Sequence, residues 1–428
     1  MLISFCVKNF RSVVDASMDL SYAEGNAPTG YKEMETLPFL EAKTRRVVPC
    51  LALYGPNAGG KTNLLRAVHG LGMFLLNGVR NAFQRNRLHP ELSATCFEIE
   101  FEIDENRYSY AVCFSDSCVK SEILKKGDFT IFSIAQGSAE FGNLASVFYQ
   151  EEKLKNILKV ECSDEKGLQI RSFFGKIGEN YTGLDKDLTS AWLFFKKQLE
   201  IYPSNEFPTA LGIDALAAAL NAEETPEVAF AKIETLIKTL DFGIKRMTFN
   251  REKAEKDELG RYRVKERPTS PCVGAGGEIK FFEYLHSFHE DVDGREVRFN
   301  FAEESDGTQA AFGLIGVFLS ALEQGKVLMI DELDRSLHSL VLREIVRLFK
   351  DKRYNRRNAQ LIFTAHNTDL LDADFLRVSE VGFVDKTKKR GTTLARLSDF
   401  KDKGVRNVSD FRRRYLMGEF KAIPFPHI

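Results

Sequence analysis

The chain has no long hydrophobic run and no excess of charge of either sign. Its 428 residues contain 60 Lys and Arg and 61 Asp and Glu, a formal net charge of −1. No apolar run approaches the roughly 18 residues of a membrane-spanning helix. The opening "MLISFCVKNFRS" has no basic segment followed by a long apolar one, as a signal peptide would. We therefore expect a cytoplasmic protein with no membrane partner, in which only local basic patches would contact nucleic acid.

Cysteine pairs with metal-binding spacing are also missing. The seven cysteines are scattered and form no C-x-x-C pair, and the close pair Cys113 and Cys118 has no histidine at zinc spacing. Several lie in apolar, strand-like runs, which favours reduced and buried thiols. No fixed-period repeat and no long heptad run is present, and this argues against extended coiled-coil arms.

The hydrophobic pattern predicts an α/β fold whose strand–helix units lie near both ends of the chain. Residues 1–115 combine a strand–glycine-rich turn–helix unit with a β-hairpin, "FEIEFEI" followed by "RYSYAVC". Residues 296–428 return to alternating strands and helices. Between them, 116–295 form an insertion or lid that we expect to be largely helical, with an exposed charged segment at 251–277. The predicted core is a mixed sheet around a P-loop, with the hairpin as a separate β lobe.

The stretch "GPNAGGKT" fits the phosphate-binding pattern G-x-x-x-x-G-K-[ST]. Its glycines allow backbone N–H groups to approach phosphate oxygens, and the helix that follows presents its positive end. We expect Lys61 to carry charge to the β- and γ-phosphates of ATP and Thr62 to bind Mg²⁺. The phosphate-binding residues predicted from this motif are Gly55, Pro56, Asn57, Ala58, Gly59, Gly60, Lys61, Thr62 and Asn63.

The stretch "VLMIDE" is a short apolar strand that ends in two acids. Asp331 at its end is expected to hold Mg²⁺, and Glu332 to act as the general base on the attacking water. Asp334 follows two residues later and is expected to contact the nucleotide. A second strand, "LIFTAHN", ends at His366, a polar side chain placed to sense the γ-phosphate.

A third element is "SDGTQ", residues 305–309, at the predicted start of a helix. Ser305 occupies an N-cap position. A helix N-terminus with a free serine and a glycine is an anion site. Ser305, Gly307 and Gln309 are the predicted contacts.

The order of these motifs resembles the ABC-type ATPase head. The resemblance implies ATP and Mg²⁺ as cofactors, and two composite sites in which "SDGTQ" of one subunit meets the ATP of another, so a homodimer or a higher homo-oligomer. "SDGTQ" differs from the common L-S-G-G-Q, which leaves Ser305, Gly307 and Gln309 as the matching positions. The Q-loop glutamine has no unique match, and Gln150 is one of several possibilities.

The stretches "VKNFRS", "EESDGTQ", "IFTAHNTDLLD" and the terminal "FRRRYLMGEFKAIPF" resemble the bacterial RloA/AbiL-type ATPases of the AAA-15/AAA-21 group. That resemblance implies an ATPase sensor or regulator of a separate effector, such as a nuclease, in anti-phage defence. The alternative is a DNA-repair, recombination or chromosome-maintenance ATPase of the SMC/RecF-like type. A transporter ATPase would have a shorter insertion, and a fused nuclease would need more than the roughly sixty residues after His366.

Three basic clusters are possible sites of nucleic-acid backbone contact: "RNAFQRNR" at 80–87, "KDKRYNRRN" at 350–358 and Arg412–Arg414. The second interleaves a tyrosine with basic residues and is the best of the three. Solvated helix faces or loops are the competing interpretation of each cluster.

Overall fold

A computed structural model gives the fold of the chain. It describes residues 1–22, 40–41, 46–135, 138–142, 144, 151–180, 185–202, 207, 209–220, 226–240, 242–264, 266–273, 277–335, 337–387, 391–400, 411–420 and 422–423. Within these ranges, none of the helices combines the length and the apolar character needed to cross a bilayer.

The strands form one large mixed sheet, a smaller second sheet and a two-stranded pair. In chain order they are β1 Leu2–Phe10, β2 Val13–Asp19, β3 Leu40–Glu41, β4 Arg46–Val47, β5 Cys50–Tyr54, β6 Thr95–Ile103, β7 Asn106–Phe114, β8 Val119–Lys126, β9 Phe129–Ala135, β10 Ser138–Glu140, β11 Leu199–Tyr202, β12 Arg246–Lys253, β13 Ser270–Val273, β14 Ile279–Glu290, β15 Glu296–Asn300, β16 Val327–Ile330, β17 Gln360–Thr364, β18 Val381–Thr387 and β19 Gly391–Arg396. The large sheet has the order β10-β9-β8-β7-β6-β1-β2-β19-β18-β5-β17-β16-β11.

The helices are distributed along the chain between these strands. They are α1 Lys61–Asn77, α2 Val79–Ala82, α3 Glu151–Glu161, α4 Phe173–Asn180, α5 Lys186–Leu193, α6 Thr209–Ala219, α7 Pro226–Thr239, α8 Asp306–Gln324, α9 Ser339–Lys350 and α10 Phe411–Leu416. A π-helix, Phe194–Gln198, continues α5 directly. Short 3-10 turns occur at Phe301–Glu303, Thr368–Leu370, Val378–Glu380 and Leu397–Asp399.

One half of the large sheet is parallel and is the part that carries the predicted motifs. Strands β11, β16, β17, β5 and β18 pair in parallel, and β5, β16 and β17 are buried along their whole length. Continuous apolar runs suit strands that are covered on both faces. Because parallel strands end at one edge, the segments after β5, β16 and β17 converge there.

The other half of the sheet is antiparallel and contains the predicted hairpin. β6 and β7 are joined by Asp104 and Glu105, which have φ values of 48° and 61°, the left-handed pair of a two-residue turn. The resulting register places Cys96 opposite Cys113, and the two form a disulfide. The expectation of reduced thiols throughout is therefore wrong for this pair, whereas Cys50 and Cys162 are buried and unpaired.

Residues 116–295 contain strands as well as helices, so the expectation of a largely helical insertion is wrong. β8, β9 and β10 extend the lobe sheet from β7, and β11 joins the parallel half beside β16. β12, β13 and β14 form the second sheet with β15. The physical reason is that the exposed edge of an isolated hairpin has unpaired backbone groups, which further strands satisfy. The described residues between β12 and β13 are mostly exposed, as expected for 251–277.

The helix that begins at the "SDGTQ" motif is held tightly by α6. A Cβ atom on Gly316 of α8 would come within 2.3 Å of the Gly212 carbonyl oxygen, and one on Gly212 within 2.6 Å of the Gly313 carbonyl oxygen. Glycine is required here because the two helix backbones touch. This contact fixes the position of α8 relative to the insertion.

The described part of the terminal motif "FRRRYLMGEFKAIPF" packs against β18. The Tyr415 ring stacks on Phe383 of β18 at a centroid distance of 5.3 Å, and its hydroxyl donates to the Ala422 carbonyl. Gly418 has a φ of 77° and ends the short helix. Pro424 lies outside the described residues. The motif therefore has a packing role beside β5 and β18.

The basic cluster at 350–358 is only partly available to a partner. Lys350 is 1% exposed and its Nζ donates to the Glu380 carboxylate at 2.5 Å and to the Phe375 carbonyl. Arg353 is paired with Asp351. Lys352, Arg356 and Arg357 remain exposed. Lys350 is thus part of the core and is not a nucleic-acid contact.

We expect Lys350→Met to lower the free energy of unfolding by about 3–5 kcal/mol, because it leaves the Glu380 carboxylate buried without its cation. Urea denaturation measures this loss. The double variant Lys350→Met/Glu380→Gln should be less destabilised than Lys350→Met alone, since the amide carries no charge. An equal or larger loss in the double variant would show that the charge of Glu380 is not the cause.

Candidate functional site

The loop between β5 and α1 is a tight backbone turn that only glycine permits at two positions. Gly55 and Gly60 have φ values of 158° and 105°. A Cβ atom on Gly55 would lie 2.1 Å from the Val384 carbonyl oxygen, and one on Gly60 would lie 2.1 Å from the Thr392 hydroxyl. The loop is therefore pressed against β18 and β19, directly before the start of α1.

Lys61 is the first residue of α1 and is 6% exposed. Its ammonium group donates to the carbonyls of Gly55 at 2.8 Å and Pro56 at 3.3 Å, both in the loop itself. Burial lowers the pKa of Lys61, and the carboxylates of Asp331, Asp334 and Glu332 oppose this shift. A buried cation held by its own loop is preorganised for an anionic ligand.

The two acids that follow β16 are fixed by one hydroxyl group on the neighbouring strand. Thr364, at the end of β17, donates to the Asp331 carboxylate at 2.6 Å and accepts from the Glu332 backbone N–H at 2.7 Å. Asp331 is 5% exposed. Glu332 has a φ of 50°, a left-handed conformation that is strained for a residue with a side chain. Both acids line the same cavity.

His366 and Asp334 have different positions in the site. The Asp334 carboxylate accepts from the backbone N–H of His366 at 2.7 Å and also from the N–H of Asn367. It thus holds the loop that follows β17. His366 itself is exposed and lines the central cavity, whereas Asp334 does not. The sequence predicts that Asp334 contacts the nucleotide. In the structure, its carboxylate instead binds the backbone that carries His366.

These elements surround a cavity of about 770 Å³. The residues that line it come from the P-loop, α1, the two acids, and three other parts of the chain: Ser12, Pro56, Asn57, Ala58, Gly60, Lys61, Thr62, Asn63, Arg66, Asp331, Glu332, His366 and Lys386. Most of the predicted site residues outside "SDGTQ" thus line this one cavity. Gly55 and Gly59 form the loop behind them.

Ser12, Arg66 and Lys386 were not predicted as site residues. Ser12 shares a hydrogen bond of 2.8 Å with Thr392 and accepts one of 2.7 Å from Asn63, and the Thr392 hydroxyl donates to the Gly59 carbonyl at 3.2 Å. These hydrogen bonds tie the P-loop and the first turn of α1 to Ser12 and to Thr392 of β19. Arg66 follows Thr62 by four residues on α1, so helical spacing contained a signal for it.

The positive charge of Arg66 acts on a second guanidinium group, that of Arg11. Burial, followed by the charge of Arg66, lowers the pKa of Arg11. Arg66 lines the cavity, and no carboxylate within hydrogen-bond or ion-pair distance of it is found among the described residues. Two neighbouring cations without a carboxylate favour an anion between or beside them.

We expect Arg66→Ala to weaken ATP binding about tenfold, the loss of one charge-assisted contact. Fluorescent-nucleotide titration of each variant measures the affinity. Arg80→Ala is the matched control, because Arg80 is also an arginine near α1 but is exposed and outside the cavity lining. Equal affinities of the Arg66→Ala variant and the parent would remove Arg66 from the site.

The "SDGTQ" residues do not line this cavity. Ser305 caps α8, accepting from the Thr308 N–H at 3.2 Å, and the Gln309 amide donates to the Glu304 carbonyl at 2.8 Å. Next to them, the Glu304 carboxylate accepts from His289 Nε2 at 2.6 Å and from Ser287. Within one chain, therefore, Ser305, Gly307 and Gln309 are separate from Lys61 and Asp331. Gln150 lies outside the described residues.

The residues present fit a nucleoside triphosphate with Mg²⁺. Gly55 and Gly60 bring the loop so close to β18 and β19 that no Cβ atom would fit, and Lys61 already donates to carbonyl oxygens. No group of three or more His, Cys, Asp or Glu side chains that could hold a metal occurs in the described part of the chain. Mg²⁺ is commonly bound by one or two protein oxygens together with phosphates and water. Thr62 and Asp331 are the ligands that this chain would supply.

A buried parallel strand, a glycine loop, a helix and an acidic strand two places away in the sheet are the parts of a P-loop nucleotide-binding domain. The chain matches the AAA_21 family profile over residues 50–372, and it belongs to this family, described as "AAA domain, putative AbiEii toxin, Type IV TA system". No curated protein sequence matches it.

Two solved structures similar to this chain are SMC head domains. The SMC head bound to the C-terminal winged-helix domain of ScpA has 12% identity and a TM-score of 0.43, covering 94% of this chain and 99% of that one. The SMC head domain from Thermotoga maritima has 12% identity and a TM-score of 0.41, covering 92% and 98%.

Proposed function

We propose that the protein binds and hydrolyses ATP in composite sites formed by two heads, and that this cycle regulates a separate effector in anti-phage defence. One observation carries the ATPase part of the proposal. A single cavity collects Lys61, Thr62, Asp331, Glu332 and His366 at the edge where β5, β16 and β17 end.

In this proposal each side chain has one task. The loop N–H groups and Lys61 bind the β- and γ-phosphates, with Thr62 and Asp331 as the protein ligands of Mg²⁺. When bound, Mg²⁺ would neutralise phosphate charge. Glu332 accepts a proton from water as the water oxygen forms a bond to the γ-phosphorus. The bond to the β,γ-bridging oxygen breaks, which releases ADP and phosphate. His366 contacts the γ-phosphate, and Asp334 positions the loop of His366.

The position of the "SDGTQ" residues supports the proposed dimerisation. Ser305, Gly307 and Gln309 are at a helix N-terminus, outside the cavity of their own chain. A helix N-terminus favours an anionic partner. In a two-fold dimer, each head presents this end to the ATP of the other, so that nucleotide closes the interface and hydrolysis opens it.

A complementation experiment tests the composite site. Lys61→Ala lacks a functional P-loop but retains Ser305, whereas Ser305→Arg retains the P-loop but blocks the α8 terminus. Each variant alone should be inactive. In a mixture, half of the dimers are mixed and each contains one intact site, so about a quarter of parental ATPase activity should return. No recovery in mixtures that are shown to exchange subunits would contradict the trans assignment of Ser305.

The role in defence is supported by the resemblance to RloA/AbiL-type ATPases and by the family description, which names a toxin of a Type IV TA system. We propose that the ATP-bound dimer holds or releases an effector, such as a nuclease, in the cytoplasm. Affinity purification with and without ATP tests this role. A nucleotide-dependent effector protein supports it, whereas recovery of recombination or replication proteins with DNA supports the alternative repair or chromosome-maintenance function.

A further inference from the structure

The segment that joins the second sheet to α8 determines where Ser305 lies. It consists of residues 301–305, between the end of β15 and the start of α8. Its first part is the 3-10 turn Phe301–Glu303, which is capped by the side chain of Asn300, the last residue of β15. The Asn300 amide also donates to the Arg267 carbonyl at 2.8 Å. A short, capped segment of this kind has little freedom, so the N-terminus of α8 follows the position of the sheet.

Glu304, directly before Ser305, anchors this segment to β14. Its side chain is only 12% exposed. The carboxylate accepts hydrogen bonds from two side chains of β14, His289 Nε2 at 2.6 Å and the hydroxyl of the fully buried Ser287. Hydrogen bonds to a charged group are roughly twice as strong as those between neutral groups. Because the Glu304 carbonyl also accepts from the Gln309 amide, this one residue ties β14 to the first turn of α8.

Helix α8 is thus held at two separate places. The contact between Gly316 and Gly212 holds its middle against α6, and Glu304 holds its N-terminus. About 16 Å of helix separate Gly316 from Ser305, so a rotation of about 4° at Gly316 would move Ser305 by roughly 1 Å. A misplacement of that size is enough to lower a reaction rate about 10²-fold. The anchor at Glu304 prevents this rotation.

We propose that His289 is a positioning residue for the composite ATP site and acts through Glu304. Their contact fixes Ser305 and Gly307 in the place where these residues meet the ATP of the other head. This role rests on the proposed function, because it needs the α8 terminus to act in trans. His289 does not line the ATP cavity of its own chain. The second sheet therefore influences the rate of hydrolysis without contacting the nucleotide that its own chain binds.

His289→Leu should lower the ATP turnover number at least about tenfold, the factor that corresponds to the loss of one hydrogen bond to a charged group. Its affinity for ATP should equal that of the parent, because the P-loop of the same chain is unchanged. Phosphate release at saturating ATP measures turnover, and fluorescent-nucleotide titration measures affinity. A thermal melt of the same preparation verifies that the variant is folded.

Two matched variants separate positioning from a general effect on the sheet. His289→Gln restores a side-chain N–H donor and should recover most of the parental turnover. His286 is a histidine of the same strand, but its Nε2 lies beside Arg298 and Glu266, so His286→Leu should keep parental turnover. A turnover in His289→Gln as low as in His289→Leu, or an equal loss in His286→Leu, would overturn the proposal.

Mixed dimers show which element His289 serves. His289→Leu keeps its P-loop but lacks a correctly placed α8 terminus, so Lys61→Ala should complement it and Ser305→Arg should not. With Lys61→Ala we expect about a quarter of parental activity, because half of the dimers are mixed and each of these contains one intact site. Complementation by Ser305→Arg instead of Lys61→Ala would contradict the assignment.

The pair Lys61→Ala and Ser305→Arg distinguishes failure of this role from failure of the proposed function. Recovery of activity in that pair, together with parental turnover in His289→Leu, would leave the composite site intact and remove His289 from it. No recovery in that pair, in mixtures that exchange subunits, would remove the composite site and the role of His289 with it.

Glu304→Leu removes the same contact from its other side, so the test does not depend on the folding of a single variant. Its turnover should fall at least as far as that of His289→Leu, with the parental affinity for ATP. The double variant His289→Leu/Glu304→Leu should be no slower than Glu304→Leu, because both changes remove one shared contact. Parental turnover in Glu304→Leu, or a further tenfold loss in the double variant, would show that His289 does not act through Glu304.

Discussion

Glu332→Gln should reduce ATP turnover by at least 10²-fold while ATP binding stays within a factor of about three of the parental affinity. Glutamine keeps the size and hydrogen-bonding capacity of the side chain but cannot accept the proton of the attacking water. The strained backbone of Glu332 and the hydrogen bond from its N–H to Thr364 do not depend on the carboxylate. Phosphate release measures turnover, and equilibrium titration measures affinity.

If the proposed cycle is right, the same variant should accumulate as a dimer when ATP is added, because the hydrolysis that would separate the heads is blocked. Size-exclusion chromatography with light scattering measures the mass with and without ATP. Glu323→Gln is a suitable control, since Glu323 is an acid near the end of α8 that pairs with Lys232 and does not line the cavity. Parental turnover in Glu332→Gln would show that Glu332 is not the base.

Lys61→Ala should weaken ATP binding by about 10²-fold or more, since it removes charge-assisted hydrogen bonds to phosphate worth roughly 1.5–3 kcal/mol each. Folding should not suffer in proportion. Burial lowers the pKa of Lys61, which means that the folded protein without nucleotide disfavours the charged ammonium group. Because the cost of burying this charge outweighs the attraction of the nearby carboxylates, removing it leaves the thermal midpoint of unfolding unchanged or higher.

Two measurements separate these effects. Calorimetric titration with ATP gives the affinity, and a thermal melt without nucleotide gives the stability of the same preparation. Lys386→Ala is the comparison for a cation on the cavity wall, because Lys386 is exposed and is expected to lose much less affinity. A melt of Lys61→Ala that falls by many degrees would assign the binding defect to misfolding instead.

The local parts of the site were predictable because each motif is one strand followed by one turn. Gly55 to Thr62, Asp331, Glu332 and the N-cap Ser305 all lie where short-range patterns placed them. Whether these residues meet depends on strand order. The parallel pairing of β5, β17 and β16 brings Lys61 near Asp331, and no local pattern specifies that order.

Motif spacing did not predict the disulfide, although the local sequence contains the basis for it. Cys96 and Cys113 are equally distant from the two-residue turn at Asp104 and Glu105, so the hairpin register predicts that they face each other. Lys386 differs, because its place in the cavity arises from the pairing of β18 with β5. Lys350 appeared to be one of several surface cations, and only the burial of Glu380 identifies it as part of the core.

The hydrogen bonds beneath the P-loop have a consequence for the order in which the protein matures. The floor of the loop is made by Ser12 and Thr392, which are 380 positions apart in the chain. Contacts of such separation form late in folding, because a long loop must close before they contribute. A ribosome-bound chain that has not yet released β19 would contain every residue of "GPNAGGKT" without the support for its shape. The support for the phosphate-binding loop is thus complete only after β19 has emerged, so a chain that lacks β19 would lack a formed loop.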